Sequence, residues 1–280
     1  MKILRTVEEL RQWSRTARAA GRSVGLVPTM GALHAGHASL MRAAAAQCAA
    51  VAVSVFVNPT QFGPNEDFAQ YPRSFDADCA LAERTGAEAV FAPPVEEIYP
   101  AGASTYVDVE GLSGRLDGAS RPGHFRGVAT VVTKLMIAAE ADRAYFGQKD
   151  AAQVAVLRRM VKDLRLATEV VVCPIVREAD GLALSSRNVY LSPAERTQAL
   201  VLNRAVRTVE KLFAAGEREA RVLIEAARAV FAAEPAARVD YIELVDWTTL
   251  EPVERAAAGS LFAVAAWVGT TRLIDNAVLL

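Results

Sequence analysis

The chain has 280 residues, 52% of them hydrophobic and 22% charged, which suits a globular protein of about two domains or one large one. Its formal net charge of -1 excludes a general basic field that would attract nucleic acid or anionic lipid, and its three scattered cysteines, without a CxxC pair, indicate reduced thiols. We find no secretory signal and no uncharged apolar run of the ~20 residues needed to span a bilayer, so we expect a cytoplasmic protein that binds neither membranes nor nucleic acid.

Short Val-rich runs alternate with longer helical patterns through the first two thirds of the chain. Strands that alternate with helices form βαβ units with right-handed crossovers, so we predict an α/β fold with a Rossmann-like doubly wound parallel sheet. The predicted strands are residues 23–28, 51–57, 88–92, 144–147 and 168–176. The predicted helices are residues 37–49, 74–85, 127–140 and 151–164.

The pattern changes after residue 176. Ser192 as N-cap and Pro193 as the first helical residue predict a long helical region, which Gly216 interrupts. Three β-like segments follow, at residues 239–245, 261–268 and 272–279. We therefore predict two domains, a Rossmann-like domain of residues 1–176 and a smaller α+β lid domain of residues 177–280.

The most informative segment is PTMGALHAGH, residues 28–37, which follows a predicted strand and precedes a predicted helix. Ligands of open α/β sheets bind at this end of the strands, and the free N–H groups and dipole of a helix start favour phosphate. His34 and His37 share one face of the first turn and can donate to a phosphate, while Gly31 and Gly36 let a nucleotide approach the backbone. A zinc pair and purely structural histidines are the alternatives.

Three later segments place polar side chains after predicted strands or at a turn. Asn58 and Gln61 flank a proline turn, Lys149 and Asp150 open a helix after a strand, and Ser185, Ser186 and Arg187 follow the turn at residues 180–181. Amides suit a polar substrate, and the cations and hydroxyls suit a phosphate tail. Taken singly, each segment also fits a solvated loop, a helix cap or a surface turn.

Five segments occur in order between residues 28 and 191: PTMGALHAGH, VFVNPTQFGPNEDFAQYPR, RPGHFRGV, YFGQKDAAQ and LSSRNVYL. Together they resemble the signatures of pantothenate synthetases, a family of the HxGH nucleotidyltransferase superfamily. The resemblance implies an ATP-dependent ligase that adenylates pantoate and joins it to β-alanine, releasing AMP and pyrophosphate. It also implies Mg²⁺ and a homodimer. The 1–176 domain would then bind ATP and pantoate.

The resemblance also implies residue roles. Those assigned to catalysis are His34, His37 and Lys149. Those assigned to ATP are Met30, Gly31, Ala32, Leu33, His34, Ala35, Gly36, His37, Gly147, Gln148, Lys149, Asp150, Val176, Leu184, Ser185, Ser186 and Arg187. Those assigned to the other substrates are Gln61, Gln153, Asn58, Met30, Arg121 and His124. Many relatives carry Glu at the position of Gln148, so the role of this side chain stays open.

Two other functions and the metal ligands stay open at this point. A transferase of the same superfamily would retain the nucleotide in its product, and a nucleotide sensor would bind ATP without turnover. Asp76 and Asp78 are candidate Mg²⁺ contacts, although a solvated helix face is the simpler interpretation for both.

Overall fold

The computed structural model describes residues 1–64 and 66–280. The chain forms two compact units. The first comprises Met1–Gly147 and Val156–Pro174, and the second comprises Gln148–Ala155 and Ile175–Leu280. The division into a domain of residues 1–176 and a domain of residues 177–280 stays a prediction. Among the described residues, no helix is long and apolar enough to cross a membrane.

The first unit contains a six-stranded, fully parallel sheet in the order β1-β4-β3-β2-β5-β6. Its strands are β1 (Lys2–Leu4), β2 (Val24–Thr29), β3 (Ala50–Val55), β4 (Ala89–Phe91), β5 (Arg143–Gly147) and β6 (Glu169–Cys173). From β2, the chain forms β3 and β4 on one side of that strand. It then crosses back and forms β5 and β6 on the other side. The predicted doubly wound parallel sheet is therefore confirmed, and the strand order reverses between β2 and β5.

The helices of this part of the chain flank the sheet. They are α1 (Val7–Ala19), α2 (Ala35–Gln47), α3 (Phe75–Arg84), α4 (Val95–Ile98), α5 (Asp117–Ser120), α6 (His124–Ala139) and α7 (Ala151–Asp163). Helices α2 and α3 contact each other, and α1 contacts α6. Apolar side chains of α2 and α3, such as Met41 and Ala82, pack with Val27, Val53 and Val90 of the central strands. Burial of these side chains stabilises the sheet and fixes where its carboxyl ends lie.

The second unit contains a three-stranded antiparallel sheet and two long helices. They are α8 (Pro193–Ala214), α9 (Ala220–Ala232), β7 (Ala237–Asp246), β8 (Ser260–Val268) and β9 (Thr271–Val278). Ser192 caps α8 and Pro193 is its first residue, as the sequence predicts. Glu195 completes a capping box with Ser192. Leu202, Val206, Leu223 and Phe262 belong to the core of this unit, which confirms the predicted α+β character.

The structure differs from the predicted elements at both ends of the parallel sheet. No local sequence pattern predicts β1, the three-residue edge strand that pairs with β4. The last parallel strand ends at Cys173 rather than at residue 176. Pro174 follows, and a proline has no N–H with which to continue a ladder.

Candidate functional site

The loop of residues 30–34 follows β2 and carries the first histidine of the motif. Two of its residues have positive φ, Gly31 at 83° and Ala32 at 49°. Glycine adopts this conformation freely, whereas an alanine pays about 1 kcal/mol or more. A Cβ atom at Gly31 would also lie 3.0 Å from Asp78 Oδ2 and 3.1 Å from Val55 Cγ1. Gly31 is therefore required by the fold of the loop itself, whatever binds there.

Asp78, in the first turn of α3, holds this loop in place. Its Oδ2 accepts a hydrogen bond from the N–H of Ala32 at 3.0 Å, and its Oδ1 accepts one from the N–H of Leu33 at 2.8 Å. Ser74 donates its hydroxyl to Oδ1 at 3.0 Å, and Asp78 is only 2% exposed. The interpretation of Asp78 as part of a solvated helix face is therefore wrong. Its oxygens accept the N–H groups of a strained loop. Asp76 is exposed, as a solvated helix face predicts.

His34 and His37 cap the N-terminus of α2 with their side chains. Nδ1 of His34 accepts from the N–H of Gly36 at 3.1 Å, and Nδ1 of His37 accepts from the N–H of His34 at 3.3 Å. The two ring centroids are 4.1 Å apart. Because Nδ1 is an acceptor in both rings, each neutral ring carries its proton on Nε2. Two Nε2–H donors at the positive end of a helix can stabilise negative charge on a phosphate.

The arrangement of the histidines does not support a zinc pair. Both Nδ1 atoms are engaged with backbone N–H groups. Across residues 1–64 and 66–280, no group of three or more His, Cys, Asp or Glu side chains is placed to hold a metal ion. A tetrahedral zinc site takes at least three protein ligands, and the described residues place no third ligand beside the two histidines.

The turn after β3 brings together three residues that the sequence assigns to a substrate. Asn58 Nδ2 donates to Gln61 Oε1 at 3.0 Å and to the carbonyl of Gly127 at 3.1 Å. Gln61 Nε2 in turn lies 3.1 Å from Met30 Sδ. Asn58 is 1% exposed and Gln61 is 9% exposed, so the interpretation of Gln61 as a solvated loop residue is wrong. Since Asn58 binds Oε1, the orientation of the Gln61 amide is fixed, with its N–H donors toward Met30.

Tyr99 and Thr60 support this amide pair, although no sequence signal points to either residue. The Tyr99 hydroxyl donates to Asn58 Oδ1 at 2.8 Å, and the Thr60 hydroxyl donates to the same atom at 3.0 Å. The lone pairs of Asn58 Oδ1 are therefore used, which leaves Nδ2 to orient Gln61. Tyr99 lies between the recognisable motifs, and its role depends on a contact across 41 positions of sequence.

The glycine that ends the RPGHFRG segment has a packing reason. A Cβ atom at Gly127 would lie 2.4 Å from the carbonyl oxygen of Thr60 and 2.7 Å from Gln61 Cα. Real Cβ atoms do not approach this closely, so only glycine lets α6 pack against the turn that carries Gln61.

Arg121 and His124, which the resemblance assigns to the substrates other than ATP, contact Gln61 and a carboxylate of the protein. Arg121 donates to both carboxylate oxygens of Glu66, through Nε at 2.9 Å and through Nη2. His124 Nδ1 donates to the carbonyl of Gln61 at 2.9 Å, while its Nε2 accepts from Arg121 Nη1 at 3.1 Å. Burial, followed by the Arg121 charge, lowers the pKa of His124 to about 4, so the ring is neutral at pH 7. A direct substrate contact for either residue stays a prediction.

In the second unit, Gln148–Asp150 form a short 3-10 turn that continues into α7. We call it the lysine turn. It follows Gly147, the last residue of β5, and opens a helix, as the sequence predicts. Lys149 Nζ lies 3.5 Å from Asp150 Oδ1, and the lysine side chain is 20% exposed. Gln153 lies half-buried in the first turn of α7.

Residues 176–184 of the second unit form a short hairpin that leads to the serines. The N–H of Leu184 donates to the carbonyl of Val176 at 3.0 Å, so two residues assigned to ATP are paired. The turn at its tip is the predicted one, with Gly181 at a φ of 97° and Asp180 Oδ1 accepting from the N–H of Leu182. Ser185 then caps a 3-10 helix, Ser186–Tyr190, through its hydroxyl, which accepts from the N–H of Arg187 at 3.2 Å. The segment is therefore ordered by its own hydrogen bonds.

Known proteins of one family match this chain over nearly its full length. A family model described as pantoate-beta-alanine ligase matches residues 2–278. A pantothenate synthetase from Acidobacterium capsulatum is 68% identical over 258 residues, which make up 92% of this chain and 86% of that protein. One from Koribacter versatilis is 58% identical over 279 residues, covering 100% of this chain and 96% of that protein.

Two solved structures agree with these sequence matches. The crystal structure of pantothenate synthetase from Thermus thermophilus has a TM-score of 0.93 and 47% identity to this chain, covering 99% of each. The Francisella tularensis pantoate-beta-alanine ligase, solved in complex with beta-gamma ATP and beta-alanine, has a TM-score of 0.81 and 31% identity, covering 99% of this chain and 97% of that one. The chain therefore belongs to the pantoate–β-alanine ligase family.

Proposed function

We propose that this pantothenate-forming ligase works in two half-reactions. In the first, a carboxylate oxygen of pantoate attacks the α-phosphorus of ATP and pyrophosphate leaves, which gives pantoyl adenylate. In the second, the amine of β-alanine attacks the acyl carbon of this intermediate, loses a proton and displaces AMP. No side-chain nucleophile is required, because the substrate carboxylate is already one.

The observation that carries the proposal is the pair of Nε2–H donors at the start of α2. Their Nδ1 atoms accept backbone hydrogen bonds, so His34 and His37 are held with their donor sides set before any substrate binds. Fixed donors that meet charge as it develops contribute roughly 2.7–4 kcal/mol each in other enzymes. The histidines would donate to non-bridging oxygens of the α-phosphate as pyrophosphate departs.

The remaining roles follow from the contacts in each unit. In the first unit, Gln61 would bind the hydroxyls and carboxylate of pantoate, with Asn58 and Met30 beside it. In the second unit, Gln153 would contribute to pantoate binding, and Lys149 would hold the phosphates. The other residues proposed to bind the phosphates and nucleotide are Gly147, Gln148, Asp150, Val176, Leu184, Ser185, Ser186 and Arg187.

Arg121 and His124 would act on pantoate through Gln61. Both donate to its carbonyl oxygen, with Arg121 Nη2 at 3.3 Å and His124 Nδ1 at 2.9 Å. Two donors from one loop fix the backbone of the residue whose side chain would bind the substrate.

Mg²⁺ would accompany ATP rather than occupy a protein cage. Both oxygens of Asp78 already accept backbone N–H groups, and Asp76 is exposed. Mg²⁺ keeps several waters and takes phosphate oxygens, so the donor set of this chain fits an ion that neutralises the triphosphate. A homodimer and a cytoplasmic location, which the resemblance and composition suggest, are further parts of the proposal.

The proposal is tested by product analysis with ATP, Mg²⁺, pantoate and β-alanine, each omitted in turn. AMP, pyrophosphate and pantothenate should form together only in the complete mixture. A product that retained the adenylate, or ATP binding without turnover under any carboxylic acid, would contradict the proposed reaction. The transferase alternative also conflicts with the family model, which describes a ligase across residues 2–278.

A further inference from the structure

The C-terminal strand β9 contacts the lysine turn through one buried side chain. Asn276 is 3% exposed. Its Nδ2 donates to the carbonyl of Lys149 at 2.8 Å and to the carbonyl of Gln148 at 3.0 Å. The Gln148 side chain returns a hydrogen bond, from Nε2 to Asn276 Oδ1 at 3.3 Å. Both N–H groups and the oxygen of the Asn276 amide are therefore engaged with a single turn.

These bonds fix the direction of the Lys149 side chain. The carbonyls of residues 148 and 149 define the peptide planes on either side of the Lys149 Cα atom, and hence its Cα–Cβ bond. Trp247 Nε1 donates to the carbonyl of Ala151 at 3.0 Å, which ties the start of α7 as well. Fixing this backbone narrows the region that the long, flexible Lys149 side chain can reach. Fewer conformations then have to be lost when the side chain is ordered on a phosphate.

Asp275, the neighbour of Asn276 on β9, holds the hairpin of residues 176–184. Arg177 donates to both of its carboxylate oxygens, at 2.7 and 2.9 Å, and also to the carbonyl of Gly181 at 3.1 Å. Asp275 Oδ1 accepts from the N–H of Asn276 at 2.8 Å. Two consecutive residues of one strand therefore anchor the lysine turn and the hairpin that leads to Ser185, Ser186 and Arg187.

We propose that Asn276 is a positioning residue for the phosphate-binding lysine, acting through the carbonyls of the lysine turn, and that Asp275 does the same for the hairpin through Arg177. This inference rests on the proposed role of Lys149 in binding ATP. It also assigns a role to Gln148, whose amide donates to Asn276 Oδ1 and so orients the Asn276 amide.

The test compares Asn276→Ala with Asn276→Asp in the full-length enzyme. Alanine deletes the two N–H donors, whereas aspartate keeps the shape but replaces the NH₂ group by one oxygen that faces two carbonyls. We expect kcat/KM for ATP to fall by about 10- to 100-fold in both variants, since misplacement by about 1 Å can cost 10²-fold. The aspartate variant should be at least as impaired as the alanine variant. The KM for pantoate should change by less than about threefold.

A matched control is Asp240→Asn. Asp240 of β7 pairs at 2.7 Å with Arg272 of β9, the strand that also carries Asn276, and both side chains are largely buried. It should lower the melting temperature and leave kcat/KM for ATP near the wild-type value. If Asn276→Ala does not fold, Asn276→Ser keeps one donor and should give an intermediate loss.

Three results would overturn the inference. The first is that folded Asn276 variants have the same kcat/KM for ATP as Asp240→Asn. The second is that Asn276→Asp loses less activity than Asn276→Ala. The third is that the KM values for ATP and pantoate change equally. A wild-type enzyme that formed no pantothenate would instead overturn the proposed function.

Discussion

At the scale of single residues, His34 and His37 combine two properties that ordinary helix caps lack together. A serine or aspartate cap accepts a backbone N–H but offers no fixed N–H donor of its own. A neutral imidazole accepts at Nδ1 and donates at Nε2, and both rings here accept backbone N–H groups at Nδ1. The sequence HAGH therefore caps α2 through the Nδ1 atoms of two imidazole rings and prepares two donors at the Nε2 atoms of the same rings.

Substitution of His37 can separate capping from donation. His37→Asn keeps an acceptor near the Nδ1 position and loses the Nε2 donor, whereas His37→Gln retains a donor near Nε2. We expect His37→Asn and His37→Ala to lower the rate of pantoate-dependent ATP–pyrophosphate exchange by roughly 10²–10³-fold, with a smaller loss in His37→Gln. A near-wild-type exchange rate in His37→Asn would show that only the cap matters.

Gln153 should affect one substrate selectively. Gln153→Ala removes an amide from the first turn of α7 and should raise the KM for pantoate by at least about tenfold, with little change in the KM for ATP. Gln12→Ala, at an exposed position of α1, is the control for loss of a glutamine. Equal losses for both substrates would mean that Gln153 is misassigned.

At the scale of elements, the active conformation of the loop after β2 depends on α3. Asp78→Asn replaces one of two acceptor oxygens by an NH₂ group that faces a backbone N–H. A buried N–H without an acceptor costs about 1–3 kcal/mol, so the free energy of unfolding should fall by that amount. The exchange rate should fall as well, because the same loop leads into His34.

Asp76→Asn is the control for this prediction. It changes an exposed carboxylate in the same turn of α3, so denaturant unfolding should detect a change of only a few tenths of a kcal/mol. If the two variants unfolded at the same denaturant concentration, Asp78 would not be the anchor of the loop.

The elements themselves were largely predictable because each has a local signal. Val-rich runs and Ala-rich helices give β2 to β6 and α2, and Ser192 with Pro193 marks the start of α8. The edge strand β1 has only three residues and pairs with β4, some 87 positions away. Its existence depends on that pairing, which no local pattern reports.

The candidate site was predictable only where motif residues would themselves contact the substrates. The contacts that hold those residues come from elsewhere in the chain, as with Asp78 below the HxGH loop, Tyr99 beside Asn58 and Asn276 beside Lys149. In each contact the two residues are 41 or more positions apart in the sequence. The partners are aspartate, tyrosine and asparagine, residue types that are common at positions without any functional role. Spacing along the sequence carries no information about such packing.

At the scale of the whole molecule, a buried neutral histidine makes stability depend on pH. Burial and Arg121 lower the pKa of His124 from 6.5 to about 4. Asp117 and Glu66 act in the opposite direction but do not outweigh them. The unfolded chain therefore binds a proton at His124 between pH 6.5 and 4, whereas the folded chain does not. By linkage, the contribution to stability is fully present above about pH 6.5 and is lost progressively as the pH falls toward 4.

His124→Asn tests this dependence, because an asparagine amide can still donate to the carbonyl of Gln61 but does not titrate. The wild-type free energy of unfolding should fall between pH 7 and pH 4 by roughly 3 kcal/mol more than that of the variant. The comparison uses the pH slope from urea unfolding, so a packing defect that lowers stability equally at every pH does not affect it. Glu66 titrates in both proteins, so its contribution to the difference between the two pH slopes largely cancels. Parallel pH profiles would mean that the pKa of His124 is the same in the folded and the unfolded chain, which would contradict a buried neutral ring that accepts from Arg121 at Nε2.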